Sequence, residues 1–241
     1  MENSIYLGLG RQMVLRRELE IVANNVANSD TTAYKSEQPV FKEYLSKPQP
    51  NEIVSYVLDY GKTRNMAEGR IRPTGNDFDL AIQGRGYFAV QTAAGERYSR
   101  NGVLQLDAEG RLVNGNGQAV LDVQGRPIVV PPGTGKIDIA SDGSVTAGTQ
   151  VLGQLRLAGF RNEQALKPAA NGVFIANETP GPAPNAKVVQ GAIEESNVVP
   201  VHEIGRMIEI TRGYEQVQLM MDGENNRLRD TVRRLGRAPG A

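Results

Sequence analysis

The run from Val201 to Leu235, VHEIGRMIEITRGYEQVQLMMDGENNRLRDTVRRL, is the part of the chain from which its architecture follows. It holds no proline and no long polar break, and a heptad register can be laid along it. Ile204, Met207, Thr211, Tyr214, Gln218, Met221, Asn225, Leu228, Val232 and Leu235 alternate three and four apart, and seven of the ten are apolar. Pro200 suits a first helical turn, Glu203 the positive end of the helix dipole, and Gly236 a stop. At ~1.5 Å per residue these positions make a rod of ~52 Å, too long to be covered by one small domain. That register leaves Ile208, Ile210, Val217 and Leu219 off the seam, where they call for further neighbours.

The opposite end of the chain offers a partner. From Ser4 to Val26 the apolar positions also keep helical spacing: Tyr6, Leu9 and Met13, then Leu15, Leu19, Val22 and Val26, with the apolar face shifting near Met13. Ser4 is the expected N-cap, and Asn24-Asn25 with Asn28-Ser29-Asp30 the expected stop. A helix outside a core is marginal in water, so the two stripes are expected to pair with each other and with other copies. The subunit-packing residues are then Leu15, Leu19, Val22, Val26, Ile204, Met207, Tyr214, Met221 and Leu228.

Between the helices the periodicity changes. Tyr87 to Gln91 alternates as a strand, Ala94-Gly95 turns it back, and further short strands are punctuated by Asp107-x-x-Gly110, Asp122-x-x-Gly125 and Asp142-Gly143. The spacing predicts an antiparallel all-β domain. The chain therefore reads as an α+β protein: an N-terminal coiled-coil helix over 1–28, an extended connector over 29–74, the β domain over 75–186 and a C-terminal coiled-coil helix over 187–241.

Composition excludes most chemistry. The 241 residues contain no Cys, one His and no Trp, and 27 basic residues balance 27 acidic ones. Thiol chemistry, His-cluster metal sites and a broad field for nucleic acid are thereby removed. Gly84-Arg85-Gly86-Tyr87-Phe88-Ala89 fits a loose dinucleotide fingerprint, but a strand-like run follows where a helix is required. The Asp-x-x-Gly turns offer one or two carboxylates each, fewer than calcium needs. His202 stands beside Glu203 without a nucleophile, and Arg227, Arg229, Arg233, Arg234 and Arg237 suit the negative end of a helix dipole. No catalytic, metal or cofactor-binding residue is expected, so the chain reads as no enzyme. The acidic, polar Met1-Glu2-Asn3-Ser4 start is no secretory signal, and no run approaches a membrane span.

Three segments carry a resemblance. Ile21-Val22-Ala23-Asn24-Asn25-Val26-Ala27-Asn28 followed by Thr31-Thr32-Ala33-Tyr34-Lys35 resembles the N-terminal signature of bacterial flagellar rod and hook proteins. Thr74 to Phe88, with Gly84 and Gly86, and then Tyr98-Ser99-Arg100-Asn101-Gly102, is similar to their central region. Asn197-Val198-Val199-Pro200-Val201, with Arg212 and Tyr214, is similar to their C-terminal signature. Thr32 and Lys35 complete the motif set. Ala33-Tyr34 stands where the family mostly has Gly-Phe.

The resemblance implies a structural subunit of the periplasmic rod in the flagellar basal body. It implies export by the flagellar type III apparatus without a cleaved signal, and helical assembly with copies of itself and other rod proteins to transmit torque. It implies no nucleic acid, no small-molecule substrate and no membrane insertion. Length and the opening Leu15-Arg16-Arg17-Glu18-Leu19-Glu20 are most like proximal-rod members, with distal-rod members next. A competing reading from another class is an oligomeric β-domain module that binds the cell wall, which requires an exposed aromatic patch.

Overall fold

The computed structural model describes residues 2–49 and 52–236, and the chain falls into two compact units. The first draws on Met1–Asn28, Ser36–Asn65 and Val198–Ala241, the second on Ser29–Lys35 and Met66–Asn197.

In the first unit, helix α1 spans Glu2–Ala27 and helix α2 spans Pro200–Gly236. At ~1.5 Å per residue they are ~39 and ~55 Å long. They run antiparallel: a Cβ built on Gly8 would stand 2.9 Å from Met221 Cγ, and one on Gly213 would stand 3.6 Å from Leu15. α1 starts at Glu2, ahead of Ser4, so Ser4 lies in the first turn rather than capping it. At the other end Asn28 Nδ2 donates to the Asn24 carbonyl at 2.9 Å and to Asn24 Oδ1 at 3.0 Å, closing the last turn.

Two strands of this unit, β1 (Glu37–Gln49) and β2 (Glu52–Arg64), pair antiparallel as a ribbon inside the stretch read from sequence as an extended connector. Pro39 and Pro48 lie in β1. A two-stranded ribbon has only edges, so a strand lacking an N–H is tolerated there, which is why the prolines misdirect a sequence reading. Such a ribbon is marginal in water by itself. Its base rests on α1, where Arg17 Nε meets Asp59 Oδ2 at 3.3 Å.

The strands of the second unit pair antiparallel, as expected, with two short 3-10 turns at Glu163–Ala165 and Ala170–Gly172. Its largest sheet centres on Tyr87–Thr92, which pairs with Gly95–Ser99, Ala119–Val120 and Leu157–Gly159. A three-stranded meander runs through Ile137–Ile139, Ser144–Ala147 and Gln150–Gln154. Leu80–Gln83 pairs with Lys187–Gln190, and Ile71–Pro73 with Ala192–Glu194. Lys187–Gln190 and both strands of that last pair lie outside the span 75–186. Three-residue strands carrying Arg, Pro and Glu have too little alternation to register in sequence.

Leu80, Ile82, Phe88, Val90, Leu112 and Val120 belong to the main core, while Tyr87, Tyr98, Phe160 and Phe174 pack edge-to-face with ring centroids 4.8–5.8 Å apart. The Asp turns are self-sufficient. Asp107 Oδ1 accepts the Glu109 and Arg111 N–H groups at 3.0 and 2.8 Å, and Asp122 Oδ1 accepts those of Gln124 and Arg126 at 2.8 Å. Each carboxylate is consumed by its own loop, and the Gly that follows takes a positive φ, +76° at Gly110 and +79° at Gly125.

Ala33 has φ +58°, in the left-handed region that disfavours a Cβ, and it is buried with its N–H donating to the Glu194 carbonyl at 2.8 Å. The turn at Ala33-Tyr34 is therefore kept tight at some cost. Relief of that cost in Ala33→Gly is opposed by a freer unfolded chain and a lost methyl, so stability is expected to change by less than ~1 kcal/mol. Ala33→Val adds a branch at positive φ in a buried site and is expected to lose ~2 kcal/mol or more. Urea midpoints of the two variants check this: equal losses from Gly and Val would show that the backbone there is not what matters.

Candidate assembly site

The helix seam is the first part of the site. Leu15 and Val22 of α1 and Ile210 of α2 form a buried cluster, flanked by Leu19, Met207 and Val217. Val22 is fully buried. Val26, Met221 and Leu228 are half-buried. The seam is thus close to the expected one on α1 but rotated on α2. Ile210 and Val217, read as off the seam, lie in it; Ile204 is 47% exposed and Tyr214 37% exposed. The cause is glycine. Gly213 leaves room for the Leu15 side chain and Gly8 for Met221, so α2 turns the face holding Ile210, Gly213 and Val217 toward α1. A heptad count that scores apolar side chains cannot see a position whose value lies in having none.

The rotation leaves each helix with a second apolar stripe. On α1, Tyr6, Leu9 and Met13 are exposed, Met13 by 67%. At 100° per residue they sit ~150° from the Leu15–Val22 seam. On α2, Val201, Ile208 and Leu219 are exposed, Leu219 by 72%, and share one face. That face lies ~160° from the Met207–Ile210–Val217–Met221 seam. Gly205 and Gly223, near the same face, have nothing within 4 Å of a built Cβ. Arg212 is exposed on it as well.

The signature residues hold the elements in place rather than forming a pocket. Asn25 is fully buried and grips the start of β1 with both ends of its amide: Nδ2 donates to the Glu37 carbonyl and Oδ1 accepts the Glu37 N–H, each at 2.9 Å. It pairs with that backbone as a neighbouring strand would, and its Nδ2 also reaches Glu203 Oε2 of α2 at 3.3 Å. One side chain therefore joins α1, β1 and α2. Pro200 is the first residue of α2, and Thr32 is half-buried.

In the β unit, Lys35, Arg100 and Glu194 form a buried charge cluster. Lys35 Nζ lies 2.6 Å from Glu194 Oε1 and 2.7 Å from the Ala67 carbonyl, and the Gly69 N–H donates to Oε1 at 2.9 Å. Arg100 Nε lies 2.6 Å from Glu194 Oε2. Its remaining nitrogens donate to the carbonyls of Gly86 at 3.0 Å, Gly84 at 2.9 Å and Ile82 at 3.2 Å. This explains the Gly84-Arg85-Gly86 run. The loop is a carbonyl cage for a guanidinium, and a Cβ on Gly84 would strike the Asn185 carbonyl at 2.4 Å. Strand Tyr87–Thr92 follows it, so no helix N-terminus is present to take a phosphate. Burial would raise the Glu194 carboxyl, but Arg100 and Lys35 outweigh it and hold it below its ordinary value. Burial likewise pushes the Lys35 amine down, and Glu194 only partly offsets that. Asn197, the last residue of the unit, donates its N–H to the Tyr34 carbonyl at 3.2 Å and its Nδ2 to the Ala67 carbonyl at 2.8 Å.

Sequence reasoning named Lys35 and Asn197 only through resemblance, met Gly84 and Gly86 also in the rejected dinucleotide fingerprint, and did not single out Glu194. His202 is an exposed residue in the first turn of α2. Among the described residues no helix is long and apolar enough to cross a membrane.

End helices that each expose an apolar stripe, in a chain whose β unit keeps its aromatic residues in its own core, define an assembling structural protein. Family profiles agree along the chain: one described as "Flagella basal body rod protein" matches residues 5–35, "Flagellar hook protein FlgE/F/G D1 domain" matches 81–147, and "Flagellar basal body rod FlgEFG protein C-terminal" matches 189–234. Among named relatives, the flagellar basal-body rod protein FlgF of Caulobacter vibrioides is 40% identical over 98% of this chain and 99% of the relative. FlgF of Mesorhizobium japonicum is 33% identical over 98% and 99%. FlgG of Bacillus subtilis is 27% identical over 96% and 98%. The chain belongs to the flagellar basal-body rod protein family, and within it is most like FlgF.

Proposed function

We propose that the chain is a structural subunit of the proximal rod of the flagellar basal body, assembling helically with its own copies and other rod proteins to transmit torque through the periplasm. Its end helices pair as a coiled coil with the β domain inserted between them, and it reaches the rod through the flagellar type III export apparatus. It performs no catalysis. The observation that carries this reading is the pair of outward apolar stripes, Tyr6–Leu9–Met13 on α1 and Val201–Ile208–Leu219 on α2, each facing away from the seam. Apolar faces of that kind on a monomer mark protein-protein contact, and heterologous contacts propagate into a helix. The cell-wall module is disfavoured because Tyr87, Phe88, Tyr98 and Phe160 of the β unit are core residues. Among its described residues the exposed large apolar side chains are Val103, Leu106, Val123, Val129 and Val151, none aromatic.

Deletion of the gene is expected to abolish hook and filament assembly while leaving the membrane-embedded ring in place, with restoration on complementation. Electron cryotomography of the deletion strain separates the alternatives, since a distal-rod subunit leaves the lower rod segment standing and a proximal one does not. A complete filament in the deletion strain overturns the reading.

A further inference from the structure

We propose that residues 29–35 are a strap that closes on an already folded β unit, with the Lys35 ammonium as its latch. The residues on either side, 2–28 and 36–65, belong to the helix-and-ribbon unit, so the strap is an excursion of seven residues between them. It brings little apolar surface of its own: Ala33 is buried and Tyr34 half-buried, while Asp30 and Thr31 are exposed. Its polar contacts reach chiefly the stretch 194–197, with one more from Lys35 to the Ala67 carbonyl. The Ala33 N–H donates to the Glu194 carbonyl, the Tyr34 carbonyl accepts from Asn197, and Lys35 reaches the Glu194 carboxylate.

The socket that Lys35 enters does not depend on it. Glu194 keeps a full charge partner in Arg100, and a backbone donor in Gly69. Arg100 is fixed in turn by the three carbonyls of its cage. Strand Ala192–Glu194, which presents both the carboxylate and the receiving carbonyl, is paired to Ile71–Pro73 on its own account. Withdrawing Lys35 therefore removes one of two cations from a carboxylate that remains paired, which is a far smaller loss than orphaning it. Two further features favour opening at this point. The left-handed Ala33 is relaxed when the strap leaves, and the desolvated ammonium regains water. Segments with few apolar contacts open well below the free energy of global unfolding.

Amide hydrogen exchange on the full chain tests this in Lys35→Met, with Lys35→Gln as the variant that keeps a donor without the charge. Exchange at the Ala33 and Asn197 amides is expected to accelerate about tenfold or more in both, while amides of Tyr87–Thr92 and Ala192–Glu194 keep their wild-type rates within about twofold. If the strand amides accelerate with the strap, or either variant unfolds outright, Lys35 is a keystone of the whole unit and the strap is wrong. If neither set moves, Lys35 is no latch. Acceleration in Lys35→Met but not Lys35→Gln also overturns the proposal, since a hydrogen-bond donor would then suffice without charge.

Discussion

Arg100→Met is expected to lower the stability of the β unit by ~3–5 kcal/mol: Lys35 still faces the Glu194 carboxylate, but four buried or part-buried acceptors lose their donor together. Against the ~5–15 kcal/mol that holds a typical domain together, this is enough to leave much of the unit unfolded at 37 °C. The size of the effect follows from how many groups the guanidinium serves. Its loss strands the Glu194 Oε2 and strips a partner from the carbonyls of Ile82, Gly84 and Gly86. Arg100→Lys should rescue little, because one ammonium cannot reach four acceptors that a planar fork spans. Urea unfolding reads both variants. A midpoint for Arg100→Met within experimental error of wild type would show that the cage is ornamental to the fold.

The same cluster sets a pH dependence whose sign can be worked out. The Glu194 carboxyl, which burial alone would raise, is held below its ordinary 4.5 by Arg100 and Lys35. A depressed carboxyl binds fewer protons folded than unfolded, so its stabilisation is present above that value and is lost as pH falls through the lower, folded one. Asp107, Asp122 and Asp142, also depressed by their turn hydrogen bonds, act in the same direction. The wild-type melting temperature should therefore fall as pH drops below the ordinary carboxylate range. In Arg100→Met the burial effect is less opposed, so the folded carboxyl is less depressed and the part of the acid-induced loss that Glu194 contributes should shrink.

How much of this was legible beforehand depends on the range of the signal. The two helices and the hairpin turns are local patterns, set within a few residues by apolar spacing, and the sequence reading places them well. The helix seam is a pattern of partners. The spacing Met207–Met221–Leu228 is common to the expected and observed registers, but the alternate positions slip from Thr211 and Gln218 to Ile210 and Val217. What tips the balance is Gly213 opposite Leu15 and Gly8 opposite Met221, and neither glycine announces a partner on the other side of the chain. Lys35, Arg100 and Glu194 lie far apart in sequence, and a charged residue that will be buried looks in sequence like any surface charge. The motif around Arg100 is visible through resemblance; its Glu194 partner is not. In the ribbon, Pro39 and Pro48 argue against strands to a reader who cannot yet see that both strands are edges.

The rotation of α2 matters most for assembly, because it changes which side chains a neighbouring copy would meet. Ile208→Asp combined with Leu219→Asp is expected to abolish motility while leaving the isolated subunit folded. Both positions are exposed in the chain, at 48% and 72%, so the charges cost the monomer little beyond helix propensity. Placed under another copy they become unpaired buried carboxylates, each costing several kcal/mol at a contact repeated along the whole assembly. The contrast with the seam isolates the effect: Val22→Asp places a charge in a fully buried site between α1 and α2 and should reduce the helical signal of the subunit itself. Soft-agar motility together with far-ultraviolet circular dichroism of the purified chain distinguishes the two failures. If the Ile208/Leu219 variant swims normally, the outward α2 stripe is not where copies meet. If it loses helicity in isolation, the stripe is instead covered within one chain, and the case for helical assembly through that face falls with it.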